Sequence, residues 1–201
     1  MYDIMIKCDH VWFEPTDPNL AAKFLDIKKP HLESLKFLSP NLFELKRICA
    51  KLTGTSAELN DIQHMDRNEI IDSAIYHGKL LMEKIDSIYG VLVTIGQHGI
   101  VYISYDSNLD SFIDFGPNSS LFERKSSEIK TVHIDSPKID NIVNLSGAGD
   151  CLVGAIIYGL IQEKTIRQSF EMGLNAARMS IQSIDTVPTN IVQILEQPKL
   201  L

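Results

Sequence analysis

Apolar and polar positions along this chain follow two periods, and the switches between them mark its elements. Ile4 and Ile6 alternate with Asp3 and Lys7, a period of two that predicts a short strand over Tyr2 to Cys8. Thr16-Asp17-Pro18 is a helix-start signal, and a helix is expected over Asn19 to Asp26. Phe37-Leu38-Ser39 is a brief apolar run stopped by Pro40. Asn41 then precedes Leu42, Leu45, Ile48, Cys49 and Leu52 at helical spacing, and Gly54 closes the segment. After a polar loop to about Asp66, a long amphipathic helix reaches Ile85 through Ile70, Ile71, Ala74, Ile75, Leu81 and Met82. Tyr89 to Ile95 and Ile100 to Tyr105, separated by the turn Gly96 to Gly99, read as a hairpin.

Ile113 to Phe115, Leu121 to Arg124 and Lys130 to Ile134 predict short strands in a looser region. Helices follow over Ala148 to Gln162 and Ile166 to Ser183, with a short one near Ile191 to Leu195. Strands alternating with helices imply an α/β fold whose mainly parallel sheet is covered on both faces.

Composition narrows the function classes. The 201 residues suffice for one domain with a real core and are short for two, so a single domain over 1–201 is expected. Hydrophobic content of 44% and charged content of 22% suit a soluble globular chain. A formal net charge of −7 gives no basic footprint, which argues against a nucleic-acid partner. Cys8, Cys49 and Cys151 are far apart and form no metal-ligand or disulfide pattern, so reduced thiols inside the cell fit best. Met1 to Asp9 has acids and no long apolar run, unlike a signal peptide, and no stretch approaches the roughly 18 apolar residues of a membrane span. A cytoplasmic protein with no membrane partner is therefore expected.

The sharpest chemical signal is Val143-Asn144-Leu145-Ser146-Gly147-Ala148-Gly149-Asp150-Cys151-Leu152-Val153-Gly154. A small-residue turn here runs directly into an apolar helix. Glycines allow close backbone approach, and the first N–H groups of a helix lack internal partners. With the helix dipole, these make an anion hole. A carboxylate beside such a hole would repel a merely bound phosphate. It makes sense if Asp150 takes a proton from an attacking hydroxyl while the amides hold the transferred phosphoryl group. A glycine-rich loop with an Asp at a helix start is the plainer reading of the same residues.

The twelve-residue string closely resembles the second signature of the PfkB-type (ribokinase-like) carbohydrate kinases. That resemblance implies a three-layer α-β-α fold with ATP and Mg2+ as cofactors. It also implies Asp150 as catalytic base and Gly147, Ala148 and Gly149 as the anion hole. Asn41-Leu42-Phe43-Glu44 is similar to the family's Asn-x-x-Glu motif, which implies that Asn41 and Glu44 organise phosphates and Mg2+, with Glu44 the metal residue, often through water. Magnesium keeps several waters and takes few protein ligands, although a capped helix with an early Glu looks the same.

Val93-Thr94-Ile95-Gly96-Gln97-His98-Gly99 resembles the family's strand-to-turn segment beside the nucleotide, which implies that Thr94, Gly96 and Gly99 contact ATP. A plain hairpin turn is its other reading. Asn175-Ala176-Ala177 is similar to the Asn-Ala-Ala element of the adenine pocket, and its alanines would serve helix packing equally well. His98 and His133 have no supporting partners in the sequence and are read as surface or structural residues.

Val11-Trp12-Phe13-Glu14-Pro15-Thr16-Asp17 and Asn144 are similar to the pseudouridine kinase branch, with Trp12 and Phe13 equally readable as core aromatics. Most relatives carry Asp where this chain has Asn144, which tells against the monovalent-cation site that many of them build partly from it. The resemblance covers the chain but only the later part of the family's fold. An N-terminally truncated domain is therefore expected, without the lid and most sugar contacts, and with a strand edge left unpaired. The implied function is ATP-dependent phosphoryl transfer to a hydroxyl of a ribose-containing small molecule, pseudouridine first. A catalytically silent nucleotide-binding module, or a kinase for another sugar or nucleoside, stays open beside it. The expected partner is a small nucleoside or sugar, and a homodimer stays open.

Overall fold

The computed structural model describes residues 10–27, 32–56, 60–106, 108–114 and 128–191. They fall into two compact units, Met1–Ser107 with Phe122–Asp135, and Asn108–Leu121 with Ser136–Leu201.

Among the described residues the first unit has five strands: β1 (Val11–Phe13), β2 (Leu35–Leu38), β3 (Gly90–Thr94), β4 (Ile100–Ser104) and β5 (Lys130–Ile134), in that spatial order. β1 pairs parallel with β2, setting Phe13 opposite Leu38, and β2 pairs parallel with β3, setting Leu38 opposite Val91. β3 and β4 form the expected antiparallel hairpin, with Val93 opposite Val101. β5 then runs antiparallel to β4, with His133 opposite Val101. β1, β2, β3 and β5 therefore point one way and β4 alone runs against them, so the sheet is mainly parallel in direction.

Helices α1 (Leu42–Thr53) and α2 (Arg67–Lys84) complete this unit. Both start in a capping box, Asn41 with Glu44 and Asp66 with Glu69, which satisfies N–H groups that no helix can satisfy internally. Gly54 ends α1 in the left-handed conformation at φ 72°, as its position in the sequence anticipates. Leu35, Leu38, Leu45, Ile48, Val91 and Val101 are buried in one core. At Gly78 a Cβ would lie 2.6 Å from Ile103 Cδ1, so the missing side chain is what lets α2 approach β4.

Trp12 and Phe13 serve this sheet. The Trp12 ring stacks on Phe37 with centroids 4.8 Å apart, and its Nε1–H donates to Ser39 Oγ at 2.8 Å. Phe13 packs against Phe24 at 5.3 Å.

One expected helix differs. Asn19 to Asp26 forms a 3-10 helix confined to Ala21–Asp26. Ala21 and Phe24 are its buried residues and its C-cap Ile27 is buried too, a spacing of three that three residues per turn aligns along one face. Ile113 and Asp114 are not in a strand. The strands expected at Tyr2 to Cys8 and Leu121 to Arg124 lie outside the described residues, as does the last short helix beyond Ile191.

Among the described residues the second unit has a pair of helices, α3 (Ala148–Ile161) and α4 (Ile166–Ile181), joined by Gln162 to Thr165. They pack antiparallel and close. A Cβ at Gly159 would meet Ser169 Oγ at 2.8 Å, and one at Gly173 would meet Ile156 Cγ1 at 2.5 Å and the Leu152 carbonyl at 2.8 Å. α4 begins with its own capping box, Thr165 with Gln168. Its first two N–H groups donate to the distant segment 108–114, Ile166 to Ser111 O at 3.0 Å and Arg167 to Leu109 O at 2.7 Å. Among the described residues no helix is long and apolar enough to cross a membrane.

Candidate active site

In the first unit, β2 and β3 end side by side. Thr94 N–H donates to Pro40 O at 3.0 Å, and Asn41 and Thr94 form an isolated parallel bridge just past the ladder. Two sequence-predicted residues are thus brought together at the carboxyl ends of adjacent parallel strands, where open α/β sheets bind ligands. Glu44 joins them through the capping box. Its Oε2 accepts from Asn41 N–H at 2.8 Å, and its own N–H donates to Asn41 Oδ1 at 3.0 Å.

Glu44 is 3% exposed, unusual for a carboxylate. Burial pushes its carboxyl above the ordinary 4.5, the hydrogen bond from Asn41 N–H pulls it back, and the nearby charge of Asp17 pushes it up again. Asp17 was not singled out from the sequence as part of this site, since nothing in its spacing shows that the turn after β1 faces α1.

A carboxyl raised in the folded state holds its proton more tightly there than in the unfolded chain. Its contribution to stability is therefore complete below about pH 4.5 and lost as pH rises through the raised value. Glu44→Gln keeps an acceptor for the capping box but does not titrate. The variant is expected to gain stability relative to wild type as pH rises from about 4 to 7, read from thermal unfolding across that range. A difference that stays constant with pH would contradict the assigned burial of the charge.

The turn after Thr94 carries Gly96 and Gly99, with φ of 62° and 92°. Its backbone bonds use the N–H groups of Ile95, to Gly99 O, of His98, to Ile95 O, and of Gly99, to Gly96 O. Those of Gly96 and Gln97 lie outside these bonds. His133 Nε2 reaches His98 O at 2.7 Å, a partner that the sequence could not reveal.

These groups suit magnesium better than a caged metal. Glu44 brings the site a single carboxylate, whose Oε2 serves the helix cap. Among the described residues there is no cluster of three His, Cys, Asp or Glu able to hold a metal. Magnesium bound mainly by phosphates and waters needs only one or two carboxylates, so the residues fit it.

In the second unit, Gly147 opens α3 with φ 80°, and no side chain caps the helix among the described residues. Capping boxes close α1, α2 and α4, whereas α3 starts without a side-chain cap, with a glycine on either side of Ala148. Asp150 lies in this first turn and is exposed. The preceding loop is tied down: Val143 and Asn144 N–H donate to Ile181 O at 2.8 and 3.1 Å, and Asn144 Oδ1 accepts from Ser146 N–H at 2.9 Å. Thr186 closes the back of the turn. Its carbonyl accepts from Ser180 Oγ at 2.8 Å and Cys151 Sγ at 3.5 Å. No local pattern points to Thr186, which contacts the turn from 39 positions downstream of Gly147 only once α4 has reversed the chain.

Asn175 lies on α4, and its neighbour Ala176 packs with Cys151 and Ala155 of α3. The Asn175 Oδ1 atom and, one turn on, Arg178 Nε are buried without a hydrogen-bond partner. A buried amide acceptor left open in this way suits a ligand donor or a water.

Residues 5–191 match the model of the pfkB family of carbohydrate kinases, across both units. The chain belongs to that family. It is also 28% identical to the pseudouridine kinase of Arabidopsis thaliana over 89% of this chain and 51% of that protein. Among solved structures, it superposes on ribokinase from Cryptococcus neoformans var. grubii serotype A, in complex with ADP, with a TM-score of 0.67 and 19% identity. That match covers 98% of this chain and 56% of the ribokinase. Adenosine kinase from Schistosoma mansoni, in complex with 2-fluoroadenosine, matches with a TM-score of 0.59 and 17% identity, over 96% of this chain and 50% of the other. The fold is therefore ribokinase-like, and this pfkB-family chain spans about half the length of the relatives it matches.

Proposed function

We propose that this chain carries the phosphoryl-transfer chemistry of an ATP-dependent kinase whose acceptor is a hydroxyl of a ribose-containing small molecule, with pseudouridine preferred. The observation that carries the reading is the uncapped start of α3, with Asp150 in its first turn, inside a pfkB family match. The acceptor class rests on the likeness to a pseudouridine kinase.

In this reading Asp150 accepts the proton of the acceptor hydroxyl as its oxygen bonds to the terminal phosphorus of ATP. The bond from that phosphorus to the bridging oxygen breaks, and ADP leaves with its electron pair. The N–H groups of Gly147, Ala148 and Gly149 stabilise the charge on the transferred group, where preorganised donors contribute most. Asn41, Thr94, Gly96 and Gly99 hold the nucleotide, and Asn175 Oδ1 accepts from its base. Glu44 would hold Mg2+, which when bound would neutralise phosphate charge.

A second reading, a nucleotide-binding module without turnover, needs only the groups assigned to ATP, among them the open Asn175 Oδ1. Acceptor positioning supplies a large share of such rate enhancements. ADP release measured with MgATP and a panel of pseudouridine, adenosine and ribose, beside calorimetric titration of MgATP, separates the two. Acceptor-dependent release by this chain establishes the kinase. MgATP binding with no release across the panel establishes the silent module, and the absence of both removes each reading.

A further inference from the structure

We infer that His133 is a positioning residue that holds the Gly96–Gly99 turn in shape for a nucleotide, an inference resting on the nucleotide role proposed for that turn. His133 sits in the interior of β5, opposite Val101, while the atom it reaches belongs to His98, before β4 begins. Its side chain therefore runs back along β4 to the hairpin turn rather than out into solvent. A carbonyl oxygen only accepts, so the 2.7 Å contact requires Nε2 to carry the hydrogen, which fixes the ring's donor.

The consequence lies in the peptide that links His98 to Gly99. Its carbonyl is held by His133, and its N–H donates to Gly96 O at 3.1 Å. That plane is thus clamped from both sides. Gly96 and Gly99 are both in positive-φ conformations, the kind of backbone that pivots most freely when its neighbours let go. Clamping the peptide between them limits the pivot and fixes the direction of the Gly96 and Gln97 N–H groups, which the turn does not use internally.

The clamp itself is braced. Asp135, two residues after His133, forms an ion pair with Arg67 in the first turn of α2, and its Oδ1 lies 3.9 Å from His133 Nε2. The side chain of His133 is 21% exposed, so water competes only partly for its hydrogen. The chain leaving β5 thus meets α2 through Asp135, and β5 meets the hairpin turn through His133.

The test uses the full chain with two variants and two readouts. In His133→Ala, amide hydrogen exchange at Ile95, His98 and Gly99 is expected to quicken about 3–10-fold, with Val101 and Ile103 unchanged. MgATP affinity, read by calorimetric titration, is expected to fall about 3–10-fold. His133→Gln keeps a terminal N–H donor at similar reach, and it is expected to restore both. A general loss of β5 packing would quicken exchange along β4 as well, and Gln would not repair it. Unchanged turn exchange in His133→Ala, or quickened exchange with MgATP affinity intact, overturns the positioning role while the nucleotide reading stands. A wild-type chain that does not bind MgATP overturns the nucleotide reading of the turn, and this role with it. Should His133→Ala fail to fold, His133→Gln decides the matter by whether it retains wild-type exchange and affinity.

Discussion

Asp150→Asn is expected to lower acceptor-dependent ADP release by about 10²–10⁴-fold, the range of a single positioned proton acceptor. The amide is nearly isosteric and cannot take up the proton, while the N–H groups of Gly147, Ala148 and Gly149 stay where α3 puts them. Binding of MgATP is therefore expected to persist, and to tighten slightly as a negative charge leaves the helix start. The experiment belongs in a pfkB-family protein with measurable turnover, this chain included if it shows any. A variant that keeps wild-type turnover would remove Asp150 as the base. One that loses turnover and MgATP binding together would make it a structural residue.

Gly147→Ala is the second large effect, and it combines two penalties. The residue stands at φ 80°, where a side chain costs about 1–2 kcal/mol, and the added Cβ would lie 2.1 Å from Thr186 Cγ2 and 2.8 Å from the Thr186 carbonyl. Overpacking of this kind adds about 1–3 kcal/mol, so a loss of about 2–5 kcal/mol is expected from urea unfolding. That carbonyl is held by Ser180 and Cys151, so it cannot swing aside without breaking both contacts. Adding Thr186→Ser removes the Cγ2 clash and is expected to recover part of the loss. A Gly147→Ala chain as stable as wild type would mean that the turn does not rest on Thr186.

Much of this was legible in the sequence where local chemistry decides structure. Asn41 and Gly54 bracket α1 as their side chains and backbone freedom dictate, and the ends of α3 and α4 fall within two residues of the apolar pattern. The β3–β4 hairpin was equally plain, since two apolar runs flank a glycine-bounded turn. What local pattern could not supply is pairing at a distance. The three-residue β1 is too short to show a period, and only its neighbour β2 makes it a strand. The 3-10 geometry at Ala21–Asp26 depends on a core spaced by three, which a helix signal at Pro18 does not distinguish.

The candidate site divides along the same line. The motif residues Asn41, Glu44 and Thr94 were readable and the fold brings them together, whereas Asp17, Thr186 and His133 act only through neighbours remote in sequence.

The first unit is discontinuous along the chain, and that bears on how it emerges from a ribosome. β4 is synthesised with its partner β3, but β5 follows only after about 25 further residues, most of them assigned to the other unit. At roughly 5–20 residues per second, the outer edge of β4 waits about one to five seconds for its cover. Its five residues are all buried in the finished fold, so during that interval an apolar strand is open to any neighbouring nascent chain. Lys130, Thr131 and His133, polar residues on the late-arriving strand, end that exposure and border the sheet among the described residues.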